Sequence, residues 1–154
     1  MAVETVRGGE GLDAGTRTEV ETAVGDVLSR YVSRAFLGTF PRRDFVPAFE
    51  SFTSGAARRA TLDIDQLTAA PVQDATSVRA TRLHSRLSLL VVGEEVHGAT
   101  ARVRFAFEAT MPDGESRPVT LRGRFLMERE QGGWSVFGYD VAADDGNTSG
   151  QVSP

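Results

Sequence analysis

The fold is decided by four stretches in the second half of the chain, in which apolar and polar residues alternate. They are RLHSRLSLLVV (82–92), ATARVRFAFEAT (99–110), RPVTLRGRFLMER (117–129) and WSVFGYDVA (134–142). Alternation with a period of two is typical of a β-strand with one buried and one solvated face. Turn residues separate the stretches, namely the segment 93–98, Pro112-Asp113-Gly114 and Gly132-Gly133. The second half therefore predicts an antiparallel meander of four strands.

The first half of the chain is predicted to form three helices. Residues 18–38 place apolar side chains on one stripe at helical spacing, and Thr18 with Glu21 fits a capping box. A short second helix is predicted from Asp44, and a third from Ser54 to Leu67. The apolar stripe of the first helix consists of Val20, Val24, Val27, Leu28, Tyr31, Ala35 and Phe36, and that of the second of Phe45, Phe49 and Phe52.

One side of the predicted strands is almost entirely apolar, and this side must pack against the helices because nothing else can cover it. Gly123 and Gly138 interrupt two strands, which predicts a bent sheet. The predicted fold class is α+β, with N-terminal helices on a strongly curved, cone-shaped, four-stranded antiparallel sheet. The apolar side comprises Leu83, Leu87, Leu89, Val91, Ala101, Val103, Phe105, Phe107, Val119, Leu121, Phe125 and Met127.

A chain of 154 residues with 40% hydrophobic residues has the size and apolar content of one domain. We assign this domain to residues 16–142. Residues 1–15 and 143–154 are small, polar and rich in glycine, so both are predicted to be disordered tails.

Two segments resemble the nuclear-transport-factor-2-like (cystatin-like cone) superfamily. Gly132-Gly133-Trp134-Ser135-Val136-Phe137 is similar to its last strand, and the segment 45–60 is similar to its second and third helices. The likeness extends over residues 18–142. It implies a cone-shaped α+β fold, in a superfamily that includes isomerases, dehydratases, polyketide cyclases, binding modules and non-catalytic envelope proteins such as the actinobacterial Mce-associated group. Fold likeness does not choose among these functions.

Composition excludes several kinds of chemistry. The chain has no cysteine, which removes disulfides, thiolate zinc sites and cysteine nucleophiles. It also has no lysine, which removes Schiff-base catalysis. The net charge of −4 argues against general nucleic-acid binding, and no stretch is apolar enough for a membrane span. No cofactor and no metal site are predicted.

The predicted inner side lacks the acid–base residues that an enzyme of the resembled superfamily uses. Its positions carry no carboxylate and no histidine, so no catalytic residue is assigned. Asp140 shares the parity of Trp134 and could face the mouth of a cavity together with Tyr31. These three residues are the candidates for a small-molecule site.

The polar side of the predicted sheet carries a concentration of arginine. Guanidinium groups form bidentate hydrogen bonds with carboxylates and phosphates, so this side is a candidate docking face. Salt bridges across strands on a solvated face are the simpler explanation. The candidate interface residues are Arg82, Arg86, Arg102, Arg104, Glu108, Arg122, Arg124 and Glu128. If two copies meet there, Glu108 and Glu128 are expected to pair with arginines of the second copy.

Two functional hypotheses follow. The first is a non-catalytic binding or assembly module that forms a homodimer, or docks an acidic protein partner, through the arginine-rich face. The second is a small-molecule binding protein, or an enzyme of the isomerase or cyclase type, with an apolar ligand inside the cone. The missing inner acid–base pair favours the first. The location is predicted as cytoplasmic, with a trimmed extracytoplasmic domain of a longer envelope protein as the alternative.

Overall fold

The computed structural model describes residues 1–144, and the predicted tail residues 145–154 lie outside the described part. The chain has an α+β fold. The helices are α1 (Ala14–Ala35), α2 (Ser54–Leu62) and α3 (Ile64–Leu67), with 3₁₀ turns at Val46–Phe49 and Ala70–Val72. The strands are β1 (Ala2–Arg7), β2 (Ser77–Val92), β3 (Glu95–Thr110), β4 (Ser116–Glu130) and β5 (Gly133–Asp144). Within residues 1–144, no helix combines the length and apolarity needed to cross a bilayer.

The strands form an open, mixed sheet in the order β1-β2-β3-β4-β5. Strands β2 to β5 pair antiparallel in sequence order, so the predicted meander is confirmed. The predicted number of four strands is wrong, because β1 adds a fifth strand parallel to β2.

Strand β1 lies in the segment that was predicted to be a disordered tail. Its backbone pairs with residues 84–88 of β2. The Glu21 carboxylate on α1 accepts hydrogen bonds from the Thr5 amide at 3.0 Å and from the Thr5 hydroxyl at 2.6 Å. These contacts with distant residues order a segment whose own composition is polar and rich in glycine.

Helix α1 begins before the predicted start. Asp13 is its N-cap and accepts a hydrogen bond from the Thr16 amide at 2.6 Å. The predicted capping box of Thr18 and Glu21 does not form, because Thr18 lies inside the helix rather than at its N-cap, and Glu21 accepts hydrogen bonds from Thr5.

The two later helices, in contrast, are shorter than predicted. The second is only the 3₁₀ turn Val46–Phe49, and the third breaks at Asp63 into α2 and α3.

One side of the sheet, the inner face, packs against the helices around a cluster of aromatic rings. Phe36, the C-cap residue of α1, stacks on Phe107 of β3 with ring centroids 4.3 Å apart. Tyr31 contacts Phe125 edge to face at 5.2 Å, and its hydroxyl donates to the carbonyl of Leu67. The predicted parity of β3 and β4 is confirmed, since their inner positions are buried.

Candidate docking surface

The three residues predicted at a cavity mouth do not come together. Tyr31 and Trp134 are 1% and 8% exposed and belong to the core, whereas Asp140 lies exposed on the opposite side of the sheet. The reason is a bulge in β5, where Leu126 pairs with Gly138 but Met127 pairs with Val136. The extra residue, Phe137, reverses the parity of everything after it.

A pair of titratable groups that sequence reasoning missed lies where α2 ends. The Tyr139 hydroxyl donates to Asp63 Oδ2 at 2.7 Å, and Arg59 Nε is 3.7 Å from the same oxygen. The pKa of Tyr139 is raised to about 12, mainly by burial and next by the hydrogen bond to Asp63. The tyrosine therefore stays protonated at neutral pH and acts as a donor that ties β5 to the break between α2 and α3.

The other side of the sheet, the exposed face, carries its arginines in two adjacent rows across the strands. By pairing register, Glu4, Arg86, Arg102, Arg124 and Asp140 lie side by side, one from each strand. We call this row the central rung. Three guanidinium groups thus occupy neighbouring strands, with a carboxylate at each end.

The next row along the strands, the second rung, contains His84, Arg104 and Arg122. Val103 and Gly123 lie between the two rungs and pair with each other. Together the rungs surround an open depression of about 650 Å³, with Arg82 at its rim and the main chain of Val103 and Gly123 among its lining.

Only the ends of the central rung are paired. Glu4 Oε1 lies 3.3 Å from Arg86 Nε and 3.6 Å from His84 Nε2. Arg124 Nη2 lies 3.7 Å from Asp140 Oδ2. Four of the six arginines around the depression form no ion pair or hydrogen bond with any residue in 1–144. They are Arg82, Arg102, Arg104 and Arg122. Like charges directly opposite each other destabilise a strand pair, so strand pairing does not explain this arrangement.

The two predicted interface glutamates lie at opposite ends of the exposed face. Glu108 accepts a hydrogen bond from Arg79 Nη2 at 2.8 Å, so it already has a partner within its own chain. The bond and charge of Arg79 lower the pKa of Glu108. Glu128 is half-buried and has no ion pair within residues 1–144.

An apolar groove that the sequence analysis did not identify adjoins the central rung. It has a volume of about 440 Å³, and Leu90, Leu126 and Phe137 contribute its apolar walls. Leu90 is 60% and Phe137 47% exposed. Gly98 lies between β2 and β4, and the side chain of Leu90 extends toward it. In the sequence, Leu90 occupies a position of β2 where the alternation otherwise places a polar residue. This exception is the signal from which the groove could have been predicted.

Comparison with known proteins returns no match, whether with family models, curated proteins or solved structures. The function of this surface therefore has to be argued from its own geometry.

Proposed function

We propose that this protein is a non-catalytic binding or assembly module of the nuclear-transport-factor-2-like kind, which docks an acidic protein surface through its exposed sheet face. The observation that carries the proposal is the pair of rungs, in which Arg102, Arg104 and Arg122 have no partner within residues 1–144. The cone shape and the superfamily assignment are part of this proposal. Their support is the order of helices followed by a long-stranded antiparallel meander.

The charge of the face favours a carboxylate-bearing partner. Six arginines line the depression and its rim, against the two carboxylates of Glu4 and Asp140. Arginine presents a planar fork of donors that matches a carboxylate, and it is less strongly hydrated than an ammonium group. A docked acidic surface would relieve the repulsion between neighbouring arginines, and the relief adds to the direct attraction.

The inner side supports a non-catalytic role. The position facing the helices between Leu121 and Phe125 is Gly123, and the aromatic rings of Tyr31, Phe36 and Phe107 occupy the space beneath the sheet. The nearest titratable pair, Tyr139 and Asp63, is engaged in holding β5 to the helices, with the tyrosine pKa far above neutrality.

Binding to a polyglutamate peptide tests the proposal. Wild-type protein is expected to bind the immobilised peptide at low salt and to release it as salt screens the charges. The double variant Arg104→Glu with Arg122→Glu is expected to lose about tenfold or more in affinity, because like charges then face each other.

The matched control reverses two exposed arginines on the helical side, Arg30→Glu with Arg58→Glu. It changes the net charge of the chain by the same amount and is expected to bind nearly as well as wild type. If the rung variant and the control bind equally well, the exposed face is not the docking surface and the proposal fails.

A further inference from the structure

The arginine-lined depression and the apolar groove are two parts of one continuous surface on the exposed face. Arg122, Arg124 and Leu126 occupy successive positions on this face of β4. The two arginines line the depression, and Leu126 lines the groove. By register, Leu126 lies beside Thr100 of β3, in the row next to the central rung. A path along the strands therefore leads from the second rung across the central rung into the groove.

Two glycines keep the groove open. Gly98 lies between Leu90 and Glu128 by register, so β3 contributes no side chain at that point. On the β5 side, Gly138 likewise contributes none beside the bulged Phe137. The apolar side chains of the walls are left facing water, and an apolar side chain that enters from outside would remove this surface from water at little steric cost.

A partner that satisfies the whole surface has to combine carboxylates with an apolar group. Arg102, Arg104 and Arg122 have no partner within residues 1–144 and call for acids. A carboxylate placed in the groove, however, would lose hydration among apolar side chains and would lie near Glu128, which borders the groove. An apolar group over the rungs would leave the guanidinium groups unpaired. Neither a purely acidic nor a purely apolar surface therefore fits both parts.

The spacing of the rows specifies the form of this partner. Rows on one face of a sheet recur every two residues, which is about 7 Å along a strand. An extended segment that lies along the strands places its own alternate side chains at the same interval. We propose that the acidic partner docks through an extended segment in which two acidic residues and one apolar residue occupy successive alternate positions. The acids lie over the second and central rungs, and the apolar side chain enters the groove. This inference rests on the proposed function and specifies the partner's docking segment.

Three short, fluorescently labelled peptides test the pattern. The in-phase peptide carries two glutamates and then a phenylalanine at alternate positions, with serine at the positions between them. The second peptide has serine in place of the phenylalanine. The third has the composition of the in-phase peptide, but its phenylalanine is moved by one position and points away from the groove when the glutamates face the rungs. Fluorescence anisotropy at low salt should show that the in-phase peptide binds wild type about tenfold more tightly than either of the others, because burial of a phenylalanine ring contributes at least this much.

A groove variant shows where the phenylalanine binds. Leu90→Thr with Phe137→Thr removes two apolar walls and keeps side chains that are favourable in strands. This variant should bind the in-phase peptide no more tightly than the peptide without phenylalanine. The matched control is Val6→Thr with Val92→Thr, at positions that are 48% and 60% exposed and lie outside the groove. It should keep the tenfold difference. All four side chains are exposed, so the fold should persist, and circular dichroism checks this.

Salt separates the two parts of the surface. Rising salt should weaken the binding of all three peptides, because it screens the contacts between arginine and glutamate. The ratio of affinities between the in-phase peptide and the peptide without phenylalanine should change little, because apolar burial is not screened. A ratio near one at every salt concentration, or a ratio that the groove variant and its control share, would show that the groove takes no side chain of the partner.

The two proposals fail separately. If the phenylalanine adds nothing while Arg104→Glu with Arg122→Glu still abolishes the binding of polyglutamate, the docking segment is wrong and the docking function stands. If the out-of-phase peptide binds as tightly as the in-phase peptide, the alternation is wrong. If the rung variant binds polyglutamate as well as its helical control does, the docking function itself is wrong, and the docking segment is wrong with it.

Discussion

The two faces of the sheet are made from alternate residues of the same strands, yet they satisfy different requirements. On β4, Phe125 is fully buried among Tyr31 and Phe52, so its contacts all belong to the folded chain. Its neighbour Arg124 is exposed and lies between Arg102 and Asp140. The contacts of the inner face stabilise the single chain. The exposed face places like charges side by side, which lowers the stability of the single chain unless a partner supplies the opposite charge.

The largest expected effect breaks the inner face. Phe125→Ala removes a ring from the centre of the aromatic cluster and leaves a cavity, so it should lower the free energy of unfolding by about 3–5 kcal/mol. Urea denaturation monitored by circular dichroism measures the change. If the variant does not fold, Phe125→Leu retains part of the volume and should give a smaller loss.

The neighbouring substitution on the exposed face is the matched control. Arg124→Ala removes only a long contact to Asp140, and surface substitutions of this kind usually change the free energy of unfolding by less than about 0.5 kcal/mol. Equal losses in the free energy of unfolding for Phe125→Ala and Arg124→Ala would contradict the conclusion that the inner face, and not the exposed face, stabilises the single chain.

A smaller effect of opposite sign is expected in the central rung. Arg102 stands between Arg86 and Arg124, so Arg102→Glu replaces two repulsive neighbours with two attractive ones. It should raise the free energy of unfolding of the monomeric protein by about 0.2–1 kcal/mol, and salt should reduce the gain. Thermal unfolding of dilute protein at low and high salt checks both statements.

The same experiment on a paired position gives the contrast. Arg79 lies opposite Glu108 and bonds to it, so Arg79→Glu should destabilise where Arg102→Glu stabilises. If Arg102→Glu also destabilises, the central rung is held together by interactions within the chain. The docking of an acidic partner at this rung would then lose its support.

The sequence predicted what repeats locally and missed what depends on distant partners. Alternation over a dozen residues is enough to identify β2 to β5 and to place Phe105 and Arg104 on opposite faces. Strand β1 has only six residues, and it is held in place by its pairing with β2 and by the hydrogen bond between Thr5 and Glu21. Neither contact can be predicted from the local sequence pattern. The capping box predicted at Thr18 is wrong because the helix begins earlier, at Ala14, with Asp13 as its N-cap.

Much of the candidate site was predictable for the same reason. Parity alone assigns the rung arginines to one face. Register is what the sequence lacks, since only the pairing of Arg102 with Arg124 shows that β3 and β4 place their charges side by side. Asp140 was misplaced because one extra residue, Phe137, shifts the parity of β5. Gly138 marks the place, but a glycine inside a strand accompanies a bend as well as a bulge, and only a bulge changes the parity.

The smallest expected effect is a pH dependence at the paired end of the exposed face. The hydrogen bond from Arg79, with its charge, lowers the pKa of Glu108 below the ordinary value of 4.5. A carboxylate with a lowered folded pKa stabilises the protein above its unfolded pKa, and this contribution is lost as the pH falls through the folded pKa.

The difference in stability between wild type and Glu108→Gln should therefore be present at neutral pH and shrink between about pH 5 and pH 3. Urea midpoints of both proteins at several pH values measure it, and Glu115→Gln, a surface glutamate without an ion pair in residues 1–144, is the control with a flat difference. A Glu108 difference that does not change with pH would mean that Arg79 and Glu108 meet only loosely in solution. The contrast between the paired Arg79 and the unpaired rung arginines would then rest on the Arg102→Glu variant alone.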